Sequence, residues 1–257
     1  MPAMQQSNES DPRWSSASAG DLQPVRRWLE TAAQTIFPLE CAVVAQRYDS
    51  PDFAPNPADV AAVSGAVGKR QREFAAGRAA ARGALGKLGV PASFIAIGPD
   101  RNPLWPTGLT GSISHTAGLA LAVVARREHI AALGIDLELS SAVKADLWRG
   151  ILTTTEIDWI RGQPSDRQGD WATLIFCAKE CFFKLQHPLT GAWVDFRDAE
   201  VLIAPDRNEF NLTCSKPAAT DRLRQTQFGG RYANAHGFTL AAMHLPATRG
   251  QGEGAPS

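Results

Sequence analysis

The stretch Gly134-Ile135-Asp136-Leu137-Glu138 sets two acids one residue apart inside an otherwise apolar run from Ile130 to Leu139. Strand side chains alternate between faces, so Leu133, Ile135, Leu137 and Leu139 point one way and Asp136 and Glu138 the other. From the rise per residue, two carboxylates on one strand face start roughly 6–7 Å apart at the backbone. That spacing suits a shared divalent cation. Mg²⁺ takes hard oxygen ligands and usually only one or two protein carboxylates, with water and phosphate oxygens completing its shell. The competing reading is a strand with one wet face and two ordinary acids, as half-solvated antiparallel sheets carry.

Working outward, the apolar run Leu119 to Ala125 precedes the polar turn Arg126 to His129, so it and the acidic strand read as a hairpin. Gly111-Ser112-Ile113-Ser114-His115-Thr116 is read as a loop before that hairpin, after a Pro- and Gly-punctuated stretch from 91. Two helices carry further signal. Residues 58–89 form a long, alanine-rich, basic helix with Phe74, Ala81, Leu85 and Leu88 on one stripe, capped by Asn56 or Asp59 and ended by Gly89. Arg70 and Arg78, eight apart, flank that stripe, where a guanidinium fork is preset for phosphate oxygens. The second helix, Asp170 to His187, buries Trp171, Leu174, Ile175, Ala178, Phe182 and Leu185. Glu180 and Lys184 pair on its opposite face, bordered by Phe176 and Phe183, as at a cleft rather than open solvent.

The rest is simpler. Residues 22–37 read as an amphipathic helix, Ala42 to Ala45 as a strand, and Thr155 to Arg161 as a weaker helix. Glu200 to Ile203, Phe210 to Thr213 and Phe238 to His244 read as an antiparallel sheet, between termini (1–20 and 249–257) expected to be disordered. The 257 residues suffice for one large domain or two half-sized lobes. Twenty-six basic residues balance twenty-six acidic ones, so no net field asks for nucleic acid or an anionic membrane, and any anion site is local. Cys41, Cys177, Cys181 and Cys214 form neither a disulfide framework nor a zinc set. With no secretory signal and no membrane-length run, a reduced, cytoplasmic protein is expected.

In order along the chain stand Lys69 to Arg82 (KRxxEFxxGRxxAR), Pro103 to Pro106, Gly111 to His115, Gly134 to Glu138 and Phe176 to Lys184 (FCAKECFFK). Together these motifs resemble the 4′-phosphopantetheinyl transferases, specifically the larger monomeric class that activates surfactin and enterobactin synthetases. The K-E-x-x-x-K core of the last is the most specific, and the set spans residues 69–191. The resemblance implies an α+β monomer of two pseudo-twofold lobes, 21–133 and 134–248, each a small antiparallel sheet packed on a long helix, with the site at their junction. It implies transfer of the phosphopantetheine arm of coenzyme A to a serine of an apo acyl or peptidyl carrier protein, releasing 3′,5′-ADP.

Under that resemblance Asp136, Glu138 and Glu180 would gather one Mg²⁺, with Mn²⁺ as a substitute. Glu180, or a water on the metal, would take the serine proton. Lys184 and Lys179 would supply cations near the pyrophosphate, Ser114 and His115 would bond phosphate oxygens, and Lys69, Arg70 and Arg78 would line the coenzyme A site, the two arginines on its 3′-phosphate. The basic residue the family carries ahead of its P-x-W-P element has only Arg101 as a neighbour here. A Mg²⁺-dependent hydrolase of coenzyme A pyrophosphate and a non-catalytic carrier or coenzyme A binding module are the rival readings. The carrier and its pathway are not legible.

Overall fold

The structure, a computed structural model, describes residues 22–50, 52–92 and 94–247. The disorder expected over 1–20 and 249–257 falls outside those residues. Helix α1 (Gln23–Ile36) buries Val25, Leu29 and Ala33 at the spacing of a single apolar stripe. Strand β1 (Ala42–Arg47) leads to the short helix α2 (Pro57–Ala61), capped by the Asn56 side chain accepting from the Ala58 N–H. Helix α3 (Gly68–Lys87) follows only after a run of turns. The single helix expected over 58–89 is therefore two. Ser64, Gly65 and Gly68 fall at the break, where glycine's backbone entropy disfavours helix.

Strands β2 (Leu109–Thr116) and β3 (Leu119–Arg126) join β1 in an antiparallel sheet of order β1-β3-β2. Strand β4 (Ile130–Leu139) starts the second half. After it come α4 (Trp148–Ile151), α5 (Thr154–Arg161), the long α6 (Gln168–Thr190), β5 (Ala199–Ala204), β6 (Glu209–Cys214), α7 (Pro217–Leu223), β7 (Gln227–Ala235) and β8 (Phe238–Pro246). Its sheet is ordered β4-β8-β7-β6-β5, all antiparallel. Each sheet packs on one long helix, so the α+β class and the expected layout of sheet plus helix hold.

Two expectations change. Residues 111–116 are strand, not loop: Ser112 and Ser114 alternate with Ile113 along β2. The hairpin is β2–β3, turned at Ala117 and Gly118, both at positive φ. β3 and β4 are not hairpin partners. β4 pairs instead with β8, a hundred residues on, and is continuous across the lobe boundary expected after residue 133.

The sheets meet edge to edge, with β2 and β4 side by side and running the same way. The usual backbone ladder is replaced by hydroxyls: Ile135 N–H donates to Ser112 Oγ at 3.2 Å and Leu137 N–H to Ser114 Oγ at 3.1 Å. Buried edge N–H groups are thereby satisfied. One face of β4, with Leu133, Ile135 and Leu137, joins Phe238, Leu240, β3 and α1 in a shared core. The small face of α3 (Ala80, Ala81, Ala84) packs on Ala42, Ala122 and Val124.

The other face of β4 meets α6. Gly134 lies so close to that helix that a Cβ would overlap the Cys181 carbonyl oxygen. No flexible side chain can yield there, so the glycine sets the distance between the acidic strand and α6. Gly134→Ala is expected to cost about 3 kcal/mol of stability, read as a shift in the denaturant midpoint; an unchanged midpoint would show that the helix can retreat freely.

Candidate active site

At the seam the alternation of β4 turns Asp136 and Glu138 toward α6, from which Glu180 and Lys184 approach one helical turn apart. Asp136 is only 4% exposed. Its Oδ1 accepts from Lys184 Nζ at 2.6 Å and from Ser114 Oγ at 2.9 Å. Lys184 Nζ also donates to the Ile135 carbonyl at 3.0 Å, so its ammonium joins helix to strand. The second oxygen of Asp136, Oδ2, is buried and has no hydrogen-bond partner. Glu138 accepts from Thr116 Oγ1 at 3.1 Å. The wet strand face is thus overturned, since both acids are held by side chains from other elements.

Burial drives the electrostatics. It pushes the Glu138 carboxyl up to about 8, with the Asp136 charge adding to the shift. Glu180 rises to about 7, again through burial, with Lys184 pulling it down and Asp136 raising it. Burial disfavours the charged form of Lys184, but Asp136 and Glu180 outweigh that and hold it above an ordinary lysine. Three acids thus face one ammonium, with the unpartnered Asp136 oxygen among them. Among the described residues no three His, Cys, Asp or Glu side chains close into a ready-made metal cage.

The lobe built on α3 supplies the basic side. Arg70 Nη1 donates to His115 Nε2 at 2.9 Å. Burial, with Arg70 and Lys184 nearby, pushes His115 down to about 4, so its ring is a neutral acceptor at neutral pH. Arg78 is 4% exposed, lies 4.6 Å over the Phe74 ring, and leaves its Nε buried without a partner. Burial lowers it to about 10, which keeps it charged. Lys69 is exposed at the start of α3, and Arg101 is exposed in a tight turn at positive φ. Gly111 packs against Trp105, whose ring would lie 2.6 Å from an added Cβ, tying the Pro103–Pro106 element to β2.

Lys179 is not brought to this cluster. It points to the far side of α6, where Nζ bonds Glu156 Oε2 at 2.7 Å and the Ile151 carbonyl at 2.9 Å, only 3% exposed. Glu156 also accepts from the Val201 and Thr153 N–H groups, knitting α5, β5 and α6 together. Lys179 is a structural cation in this arrangement, not one of the phosphate-facing cations. Lys179→Met is expected to cost about 3–5 kcal/mol by orphaning a buried carboxylate, while coenzyme A affinity of the folded fraction stays within about twofold. A selective loss of that affinity, with stability kept, would return Lys179 to the site.

Ser112 and Thr116 escaped the sequence reading, although the alternation Ser112, Ser114, Thr116 marks one strand face. Gly134 escaped it too, its role depending on a helix 47 residues away.

Known proteins resemble this chain over both halves. Residues 58–125 match the model for the 4′-phosphopantetheinyl transferase N-terminal domain, and residues 132–236 that for the 4′-phosphopantetheinyl transferase superfamily. The chain is 36% identical over 199 residues to the 4′-phosphopantetheinyl transferase Svp of Streptomyces mobaraensis, covering 77% of this chain and 81% of that one. It is 36% identical over 174 residues to the 4′-phosphopantetheinyl transferase PptT of Mycobacterium tuberculosis, covering 67% and 75%. Enterobactin synthase component D of Salmonella typhi is 42% identical over 119 residues, 45% of this chain and 48% of that one. With both halves matched in order and a relative aligned over most of its length, the chain belongs to the 4′-phosphopantetheinyl transferase superfamily.

Proposed function

We propose that this enzyme moves the 4′-phosphopantetheine arm of coenzyme A onto a serine of an apo carrier protein, with Mg²⁺ as the metal and 3′,5′-ADP as the leaving product. The observation that carries the reading is the Asp136 cluster at the lobe junction. One of its acids keeps a buried oxygen unpartnered, and burial pushes the carboxyls of two others well up from their ordinary value. Such a set fits Mg²⁺, which needs few protein oxygens and takes the rest of its shell from water and phosphates.

Asp136 Oδ2, Glu138 and Glu180 would hold the ion. When bound, it would neutralise charge on the pyrophosphate as the serine oxygen–phosphorus bond forms and the bond to the leaving ADP breaks. Ser114 holds Asp136 in register from the opposite lobe. Lys184, anchored between Asp136 and Ile135, fixes the strand–helix spacing and presents its charge to the leaving group. Glu180 stands beside it to take the serine proton, and its raised carboxyl suits a base near neutral pH. Arg70, bonded to His115, and Arg78 would meet the 3′-phosphate of coenzyme A and, with Lys69, line its site. Because β2 and β4, from the two lobes of one chain, both contribute to the site, a monomer suffices. In this reading the lobes divide near residue 130.

The experiment is the intact mass of an apo carrier protein after incubation with the enzyme, coenzyme A and Mg²⁺, with and without EDTA. A gain of one phosphopantetheine, lost in EDTA, is the expected result. Coenzyme A cleaved without any gain by the carrier would point to a hydrolase, and neither change to a binding module. A gain unaffected by EDTA would remove the metal.

A further inference from the structure

Away from the Asp136 cluster, charged groups converge once more in the lobe built on α3. Asp59, on α2, is fully enclosed. Its Oδ2 accepts from Arg82 Nη1 at 2.7 Å, and its Oδ1 is buried without a partner. One turn before Arg82 on the same helix stands Arg78, nearly buried against Phe74 with its Nε unpartnered. Arg82 therefore takes one oxygen of this carboxylate, while Arg78 stands one turn away without bonding it. A buried cluster with one surplus positive charge and an open donor is completed by an anion.

The two open atoms are complementary, one an acceptor and the other a donor. Were Asp59 released from Arg82, it would be free to bond Arg78 and cancel the charge that a phosphate requires. Asp59 already acts on Arg78 across space, opposing part of the lowering caused by burial and by the like charge on Arg82. A carboxylate engaged by one arginine thus supports the charge of the other without occupying its donors.

We propose that Asp59 is a positioning residue: bound to Arg82, it supplies the buried counter-charge that holds Arg78 ready for the 3′-phosphate of coenzyme A. The proposal rests on the assignment of Arg78 to that phosphate. It makes the Asp59–Arg82 pair a determinant of selectivity for coenzyme A over dephospho-coenzyme A, although neither residue of the pair need touch the ligand.

The test is calorimetric binding of coenzyme A and of dephospho-coenzyme A to the full-length protein and its variants. Wild type is expected to prefer coenzyme A. Asp59→Asn should weaken coenzyme A about tenfold through the altered Arg78, the scale of one charge-assisted hydrogen bond within the protein, and leave dephospho-coenzyme A unchanged. Arg82→Leu, which frees Asp59 to capture Arg78, should collapse the same preference. Equal weakening of both ligands in Asp59→Asn, or no weakening, would overturn the proposal. If that variant does not fold, a preserved preference in Arg82→Leu overturns it instead. A wild type indifferent to the 3′-phosphate would overturn the Arg78 assignment and this proposal together, while the carrier-mass assay reports separately on the transfer reaction.

Discussion

Asp136→Ala is expected to lower carrier modification on the order of 10³-fold, the scale at which loss of one preorganised electrostatic group in a buried site is felt. The residue does three things at once. Its unpartnered oxygen would be a ligand of the proposed metal, its other oxygen accepts from Ser114 across the seam, and it pairs with Lys184. The fold should survive. Lys184 is a quarter exposed on its side chain (26%) and keeps its bond to the Ile135 carbonyl, so water can compensate the orphaned ammonium. Leu133, Ile135 and Leu137 stay packed on the opposite face. Single-turnover transfer, measured beside the thermal midpoint, separates loss of chemistry from loss of structure. Near-normal turnover in a folded variant would remove the acid cluster from the reaction.

Much of this site was legible because strand alternation is a strong constraint. Once Gly134–Glu138 is a strand with one apolar face, Asp136 and Glu138 must share the other, and the structure puts them there. The expected β3–β4 hairpin differs from the observed β2–β3 hairpin for a local reason. Arg126 to His129 looks like a turn between two apolar strands, whereas the hairpin's two-residue turn, Ala117-Gly118, follows a polar run with no apolar strand signal of its own. β3 is buried from Leu119 to Ala125 on both faces, a pattern that calls for a partner on each edge, and β1 and β2 supply them. No local signal pairs β4 with β8, since that contact is non-local.

Lys179 shows where motif resemblance and helical geometry part. Ile175, Ala178, Lys179 and Phe182 recur at i, i+3, i+4 and i+7, so Lys179 belongs to the core face by spacing alone. Cys177, Glu180, Cys181 and Lys184 form the stripe turned to β4. The contact of Cys181 with Gly134 depends on how closely helix and strand approach, and a tertiary distance is not written in either segment by itself. Asp59 is a similar case. The sequence offers it as a cap candidate, but Asn56 takes that role and leaves the carboxylate for Arg82.

Glu180→Gln is expected to lower kcat/KM for transfer by about 10²–10⁴-fold, the range lost with a positioned proton acceptor, with little change in the binding of coenzyme A itself. The same substitution should alter how Mg²⁺ stabilises the protein. Burial places Glu180 at about 7 and Glu138 at about 8, against an ordinary value of 4.5. Between 4.5 and those values the folded chain holds protons that the unfolded chain has released. Stability from these groups is therefore greatest at acid pH and declines as pH rises through that window. A cation that needs both carboxylates ionised must expel those protons, so it binds better as pH rises. Added Mg²⁺ should raise the thermal midpoint more at about pH 8 than at about pH 5.5 in wild type, since the metal binds the native state in its ionised form. In Glu180→Gln one of the two titrations is gone and one ligand is weakened, so both the Mg²⁺ increment and its pH dependence shrink. An increment equal at the two pH values in wild type would mean that these carboxylates do not hold the metal. Full activity in the variant, with the increment lost, would leave Glu180 a ligand of a metal that the reaction does not need.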